Sequence, residues 1–501
     1  MVNTRKRMAA MRQAGHGTSA AVVGARAPHA QPANPACVIG PGQRCTHALV
    51  DGELNRRLDE YEARVRARFG AIVPVLRQIS AQEHAEDFVW RAQELARERL
   101  GYELPAALLK NAWVTGLDMS ALYSDAIFKS FADCIERADA DQAPWRERLR
   151  LDADFFRACG YHTVDITPCA DGRLQGLLPF VLRIAPDEMV SVKAYAGAVL
   201  DVETDMADWT QRELERLSGG MTGYESCNYL KIAVYHYSSS CPVDQGCAAH
   251  GSNDLKAVSC ALGRLDELRA AIENTFGAGA APDVLLIGID TDIDSIRIHA
   301  PDAQGHVAAA RYLDNATLYR DTLGLDAETA RARITAAVTA SDCTPGMQTL
   351  IAHLLEANLS QIEYVIQHHA GRYAVIGHDE NFIVAGESVC PMQLRNMYYF
   401  AHLDTLEEGA PDMDVGIKIF TGLNLQCGLA VPILVHFCYD VRVPGSRERA
   451  VARCRRVAGA IEARYADLAA RGMIHCRMAV TDVHGTEIAA LIADEAVVEG
   501  H

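Results

Sequence analysis

Tyr161-His162-Thr163-Val164-Asp165-Ile166-Thr167-Pro168-Cys169-Ala170-Asp171-Gly172-Arg173 is the stretch that decides the fold class. Its opening residues are apolar and β-branched enough to read as a strand, and the cysteine follows where that strand runs out. Leu230-Lys231-Ile232-Ala233-Val234-Tyr235-His236 is a second such run and closes on a histidine. Val284–Ile289 is a third strand candidate, while 210–217 and 257–275 have helical spacing. Strands alternating with helices predict an α/β layer structure, α+β over the whole chain. Such folds build their sites at strand ends, where Cys169 and His236 both fall.

Ten residues separate His236 from Cys247. Two thiolates and one imidazole are a frequent ligand set for catalytic Zn²⁺, leaving one tetrahedral position open for water. Asp171 and Arg173 follow the first ligand directly. A carboxylate held ionised by the guanidinium is suited to accept a hydrogen bond from metal-activated water and orient it. Two thiolates also cancel the ion's charge, so that water should ionise less readily than at a three-histidine site. With fifteen cysteines in the chain, Cys159, Cys241 and Cys260 stay open as alternative ligands. Asp-x-Arg taken alone is also an ordinary ion pair.

The chain has 501 residues, more than one core usually serves, so two or three domains are expected. Its formal net charge is −17, yet residues 1–50 hold Arg5, Lys6, Arg7, Arg12, Arg26 and Arg44 and no acid. A basic tail on an acidic body makes nucleic acid a poor general partner. No run of about eighteen apolar residues occurs, so no membrane span is expected. Irregularly spaced cysteines without a signal-like amino end suit a reducing interior.

Residues 1–46, rich in Ala, Gly, Pro, Gln and Arg, read as a disordered basic tail. Residues 47–145 read as a helical domain, with Leu54, Leu58, Tyr61, Val65 and Phe69 on one helical face and a boundary near Asp139–Pro144. Residues 146–378 hold the candidate ligands, and 379–501 form a last domain. In that domain Met392–Phe400, Val415–Phe420, Val431–Tyr439 and Met478–Thr481 are apolar runs, and 446–468 is expected to be one long helix. Cys438-Tyr439-Asp440-Val441-Arg442 repeats Cys-x-Asp-x-Arg there, which suggests a duplication. His475 and Cys476 are adjacent and poorly spaced to complete a second metal site.

Thr167-Pro168-Cys169-Ala170-Asp171-Gly172-Arg173, His236-Tyr237-Ser238-Ser239, the run from Gln245 to Asn253 and Leu406-Glu407-Glu408-Gly409-Ala410-Pro411-Asp412 together resemble the carboxysomal shell carbonic anhydrases. This is a divergent β-type family, also called ε-class. The likeness runs from about residue 45 to the end. Ordinary β-class enzymes have His-x-x-Cys where this chain has the longer gap, a departure that agrees with the carboxysomal branch. The resemblance implies a helical domain, a β-carbonic-anhydrase-like catalytic domain and a degenerate, metal-free repeat of it. It implies one Zn²⁺ per chain on Cys169, His236 and Cys247, and Asp171 and Arg173 as catalytic residues. It also implies His378 as a proton carrier, with His250 a weaker alternative. The expected substrates are CO2 and bicarbonate, the expected location the inner side of the carboxysome shell, and the expected partners Rubisco, shell proteins and a second copy of the chain. The alternative is a non-catalytic, zinc-stabilised scaffold linking cargo to shell. Hydrolase or deaminase chemistry is disfavoured by the absence of His-Glu-x-x-His and Pro-Cys-x-x-Cys.

Overall fold

The structure is a computed structural model that describes residues 46–110, 112–140, 149–184, 189–218, 228–389, 393–483 and 490–491. The basic tail up to residue 45 and the interdomain residues 141–148 lie outside these. The chain divides into two compact units, residues 1–58, 147–169 and 176–377 in one and 59–146, 170–175 and 378–501 in the other.

The first unit is built on six strands: β1 (Tyr161–Pro168), β2 (Val190–Val192), β3 (Asn228–Tyr237), β4 (Asp283–Asp290), β5 (Ser295–His299) and β6 (Leu313–Asp314). Their order is β2-β1-β3-β4-β5-β6. The first four are mutually parallel and the last two antiparallel. Buried parallel strands are expected to be apolar throughout, but β1 and β3 each carry a charge, Asp165 and Lys231, neither exposed. The two are register partners and bond at 2.6 Å. Lys231 also reaches Asp205 at 2.6 Å, Lys193 bonds Asp205 at 2.9 Å, and Tyr229 donates to Asp165 at 2.8 Å. Burial alone would raise the Asp165 pKa, but the two lysines outweigh it and hold the carboxyl well below the ordinary range.

The helix Asp254–Phe276 covers β3 and β4. Ala257, Ala261, Leu265, Leu268 and Ile272 recur at helical spacing and pack on Tyr229, Ala233, Tyr235 and Leu286. Asn253 caps its start by accepting from Lys256 N at 2.9 Å, and Gly277 ends it with φ +106°.

The second unit has β7 (Phe382–Gly386), β8 (Tyr398–His402), β9 (Val431–Tyr439), β10 (Ile474–Asp482) and β11 (Ala490–Leu491), ordered β8-β7-β9-β10-β11. Three parallel pairings and one antiparallel follow in the same sequence as along β2-β1-β3-β4-β5. Helices Leu406–Leu423 and Ser446–Arg464 take the places of Val202–Ser218 and Asp254–Phe276. The chain therefore contains one topology twice. In the helical segment, Leu58, Tyr61, Val65 and Phe69 are buried as their spacing predicts. Phe69 stacks on Phe382 of β7 at 6.0 Å.

Three readings of the last domain need correction. The long helix ends at Arg464 and a short one resumes at Ala466, and Val415–Phe420 is helical, inside Leu406–Leu423. The Cys438 motif does not mark the repeat. Cys169 N donates to Val234 O, and in the second sheet Glu387 N donates to His436 O. Glu387 thus stands where Cys169 does, and Cys438 where His236 does. The repeated motif begins at the end of the third strand of its copy, not after the first.

Candidate metal centre

Cys169 lies one residue past β1, His236 near the end of β3, with Val234 opposite Pro168 setting their register. Cys247 must come back to them across a ten-residue loop, and two aspartates at the end of β4 hold that loop. Asp292 accepts from Ser238 Oγ at 3.0 Å and from Ser240 N at 2.8 Å, and Asp290 accepts from Ser239 N at 3.2 Å. The result is a buried group in which the ligating atoms of Cys169, His236 and Cys247 lie within 4.8 Å of one another. Cys159, Cys241 and Cys260 are not part of it.

The sulfurs are 3.9 Å apart. Two thiolates at a Zn–S distance of about 2.3 Å and a tetrahedral angle would stand about 3.8 Å apart, while a disulfide would bring them to about 2.05 Å. The donor set therefore fits a tetrahedral, borderline-soft ion. Contact with Cys247, followed by burial, pushes the Cys169 thiol well above its ordinary pKa. A metal bound there would displace protons, so its affinity would fall as pH is lowered.

A second cluster belongs to the other compact unit. Asp171 caps the turn Gly172–Leu174, its Oδ1 accepting from Arg173 N at 3.0 Å and Nε at 2.9 Å, its Oδ2 from Nη2 at 2.7 Å. Both side chains are nearly inaccessible. Asp440 and Arg442 make the same three bonds, but there the arginine is 67 % exposed. Asp-x-Arg is thus a local conformation, and burial separates the two copies. Glu380, which the sequence reading missed, accepts from Gly172 N at 3.1 Å and from His378 Nδ1 at 2.8 Å through one oxygen. A Cβ on Gly172 would stand 2.6 Å from that oxygen, which explains the glycine between Asp171 and Arg173. With Nδ1 engaged by Glu380, Nε2 of His378 faces Asp171 Oδ2 at 3.8 Å. Burial lowers the His378 pKa, but Glu380 and Asp171 outweigh it, and the net shift is upward. The signal for Glu380 was the alternation His378-x-Glu380 in extended chain.

Of the other histidines, His250 is buried with Nε2 on Gly197 O at 3.0 Å, and His368 ends a helix and is exposed.

Fold and site define the class as an α/β protein with a buried dithiol–imidazole cluster of metal-ligand geometry. Family profiles then match nearly the whole described chain: the N-terminal, catalytic and C-terminal domains of Carboxysome Shell Carbonic Anhydrase at residues 47–139, 151–378 and 379–496. The carboxysome shell carbonic anhydrase of Halothiobacillus neapolitanus is 43% identical over 462 residues, covering 89% of this chain and 90% of its own. That of Parasynechococcus marenigrum is 43% identical over 455 residues, 89% of this chain and 78% of its own. The chain belongs to the carboxysome shell carbonic anhydrase family, and carbonic anhydrase is its activity class.

Two outcomes follow from this geometry. Cys169→Ser removes bound metal by replacing a soft ligand with a poor one, whereas Cys438→Ser leaves it unchanged; elemental analysis of the purified variants checks both. His378 has a raised folded pKa, so its charged form stabilises the fold fully below about pH 6.5, and that stabilisation is lost as pH rises through the raised value. His378→Ala should therefore cost more stability at pH 6 than at pH 9 in urea unfolding, and an equal cost at both would refute the charge-based account.

Proposed function

We propose that this chain is a zinc-dependent carbonic anhydrase that interconverts bicarbonate and carbon dioxide inside carboxysomes, supplying CO2 to Rubisco. One Zn²⁺ per chain is held by Cys169, His236 and Cys247. The observation that carries the reading is the 3.9 Å spacing of two buried thiol sulfurs beside His236, with the buried Asp171–Arg173 pair next along the chain. When bound, the ion supplies Lewis-acid activation of water for addition to carbon dioxide.

The chain's own residues then do the positioning. Asp171 is two residues from Cys169, so the backbone keeps their Cα atoms within about 7.6 Å. Arg173 donates two side-chain bonds to Asp171 and fixes the direction of its lone pairs. Asp171 acts as the acceptor that orients the attacking water. His378, its Nδ1–H directed to Glu380 and its side chain 23 % exposed, takes up the proton at Nε2 and passes it to solvent. A purely structural zinc would call for a fourth protein ligand. Among the described residues the cluster offers three, which supports catalysis over the scaffold reading. No helix among the described residues is long and apolar enough to cross a membrane.

Asp171→Asn should retain metal and fold yet lower CO2 hydration by about 10²–10⁴-fold, measured by isotope exchange alongside elemental analysis. Near wild-type exchange would reduce the Asp171–Arg173 pair to a structural ion pair. The basic segment before residue 46 supports a recruiting role toward an acidic surface of Rubisco or the shell. Deleting residues 1–45 should then abolish Rubisco capture, in a salt-sensitive way, while sparing activity. Undiminished capture by the truncated chain would move that role elsewhere.

A further inference from the structure

Alternate residues after β2 donate to β1 in turn. Lys193 N bonds Ile166 O at 3.0 Å and Tyr195 N bonds Pro168 O at 3.1 Å. The next donor in the series, Gly197 N, ends instead on Cys169 Sγ at 3.2 Å. An N–H directed at a thiolate draws electron density from the sulfur and weakens its donation to a bound ion. This matters at a site where two thiolates would otherwise cancel the divalent charge.

The aim of that N–H depends on an unusual turn. Gly197 has φ +74° and Ala198 φ +57°, consecutive left-handed residues of which the second has a side chain. A left-handed alanine is strained and persists only where its surroundings hold it. Ala198 N to Tyr195 O, at 2.9 Å, holds the turn locally. His250 holds it from a distance, with Nε2 3.0 Å from Gly197 O. A carbonyl only accepts, so Nε2 is the protonated ring nitrogen. A Cβ on Gly197 would lie 2.6 Å from it, so the ring rests on a residue that must have no side chain. His250 is itself anchored to the other thiol ligand: Cys247 O accepts from His250 N at 3.1 Å and from Ser252 N at 2.9 Å. One buried residue is thereby tied to the backbone of Cys247 and holds the donor to the sulfur of Cys169, all within the first compact unit.

We propose that His250 is a positioning residue which, through Gly197, sets how strongly Cys169 donates charge to the bound metal; this rests on the metal-site reading above. It touches neither substrate nor ion and acts by fixing a hydrogen bond.

The test uses the full chain loaded with Co²⁺, whose sulfur-to-metal charge-transfer band reports thiolate electron density, and chelator competition for affinity. His250→Ala should move the band to longer wavelength as the sulfur regains donating strength, and, because the turn no longer fixes the direction of that sulfur, weaken metal binding by about 10–100-fold. His250→Gln, whose amide N–H reaches the position of Nε2, should restore both. A folded His250→Ala chain with the wild-type band and affinity would overturn the proposal, since a space-filling residue would leave the band in place. If His250→Ala does not fold, Gly197→Ala carries the test: it leaves His250 present but forces the turn apart, and should shift the band in the same direction. A wild-type band there overturns the proposal equally. Failure of the wild-type chain to take up Co²⁺ with a thiolate band would sink the metal-site reading and this inference with it.

Discussion

Asp165 and Lys231 face each other in register on β1 and β3, without exposure, at 2.6 Å. Slipping either strand by one residue would turn the two side chains to opposite faces. It would also leave a charge buried without its partner, at a cost of roughly 3–5 kcal/mol. The pair is therefore less a source of net stability than a lock on register. β1 runs directly into Cys169 and β3 carries His236, so this lock also aligns two of the three residues proposed to hold the metal. The third depends on a different constraint, the Asp292 carboxylate that gathers Ser238 and Ser240 and closes the loop leading to Cys247.

The duplicated topology shows how little of the site belongs to the fold as such. Both sheets present a backbone N–H bond at the same strand end, from Cys169 in one and Glu387 in the other. In the second sheet the residue there is a carboxylate bonded to Arg453 at 3.1 Å, and that arginine lies 4.0 Å above the Phe437 ring. A guanidinium thus answers the acidic group where the first copy gathers two thiols and an imidazole. The Asp-x-Arg turn likewise occurs twice with the same bonds, buried once and exposed once. Residues 170–175 group with the second sheet's unit although they follow Cys169 by one peptide bond. Asn396 N on Gly172 O at 2.6 Å and Phe400 N on Ala170 O at 3.1 Å hold them there.

Period and residue type were enough to mark the strands, the helical seam and the cysteine and histidine candidates for the site. Apolar β-branched runs marked β1, β3 and β4, helical spacing marked the seam through Leu58, Tyr61, Val65 and Phe69, and Cys169, His236 and Cys247 fell at strand ends or after them. These are short-range signals, because period and propensity act within a few residues of chain. The tertiary structure decided what depends on partners far apart in sequence. It placed Glu380 against Gly172 across 208 positions, and it set His250 on Gly197 across 53. It also placed Cys438 at the position equivalent to His236, on the third strand of its copy, so the repeated motif is not the counterpart of the Cys169 motif. Burial and hydrogen-bond partnership arise from packing, and a local pattern such as Asp-x-Arg contains no information about whether the surrounding fold will exclude water from it.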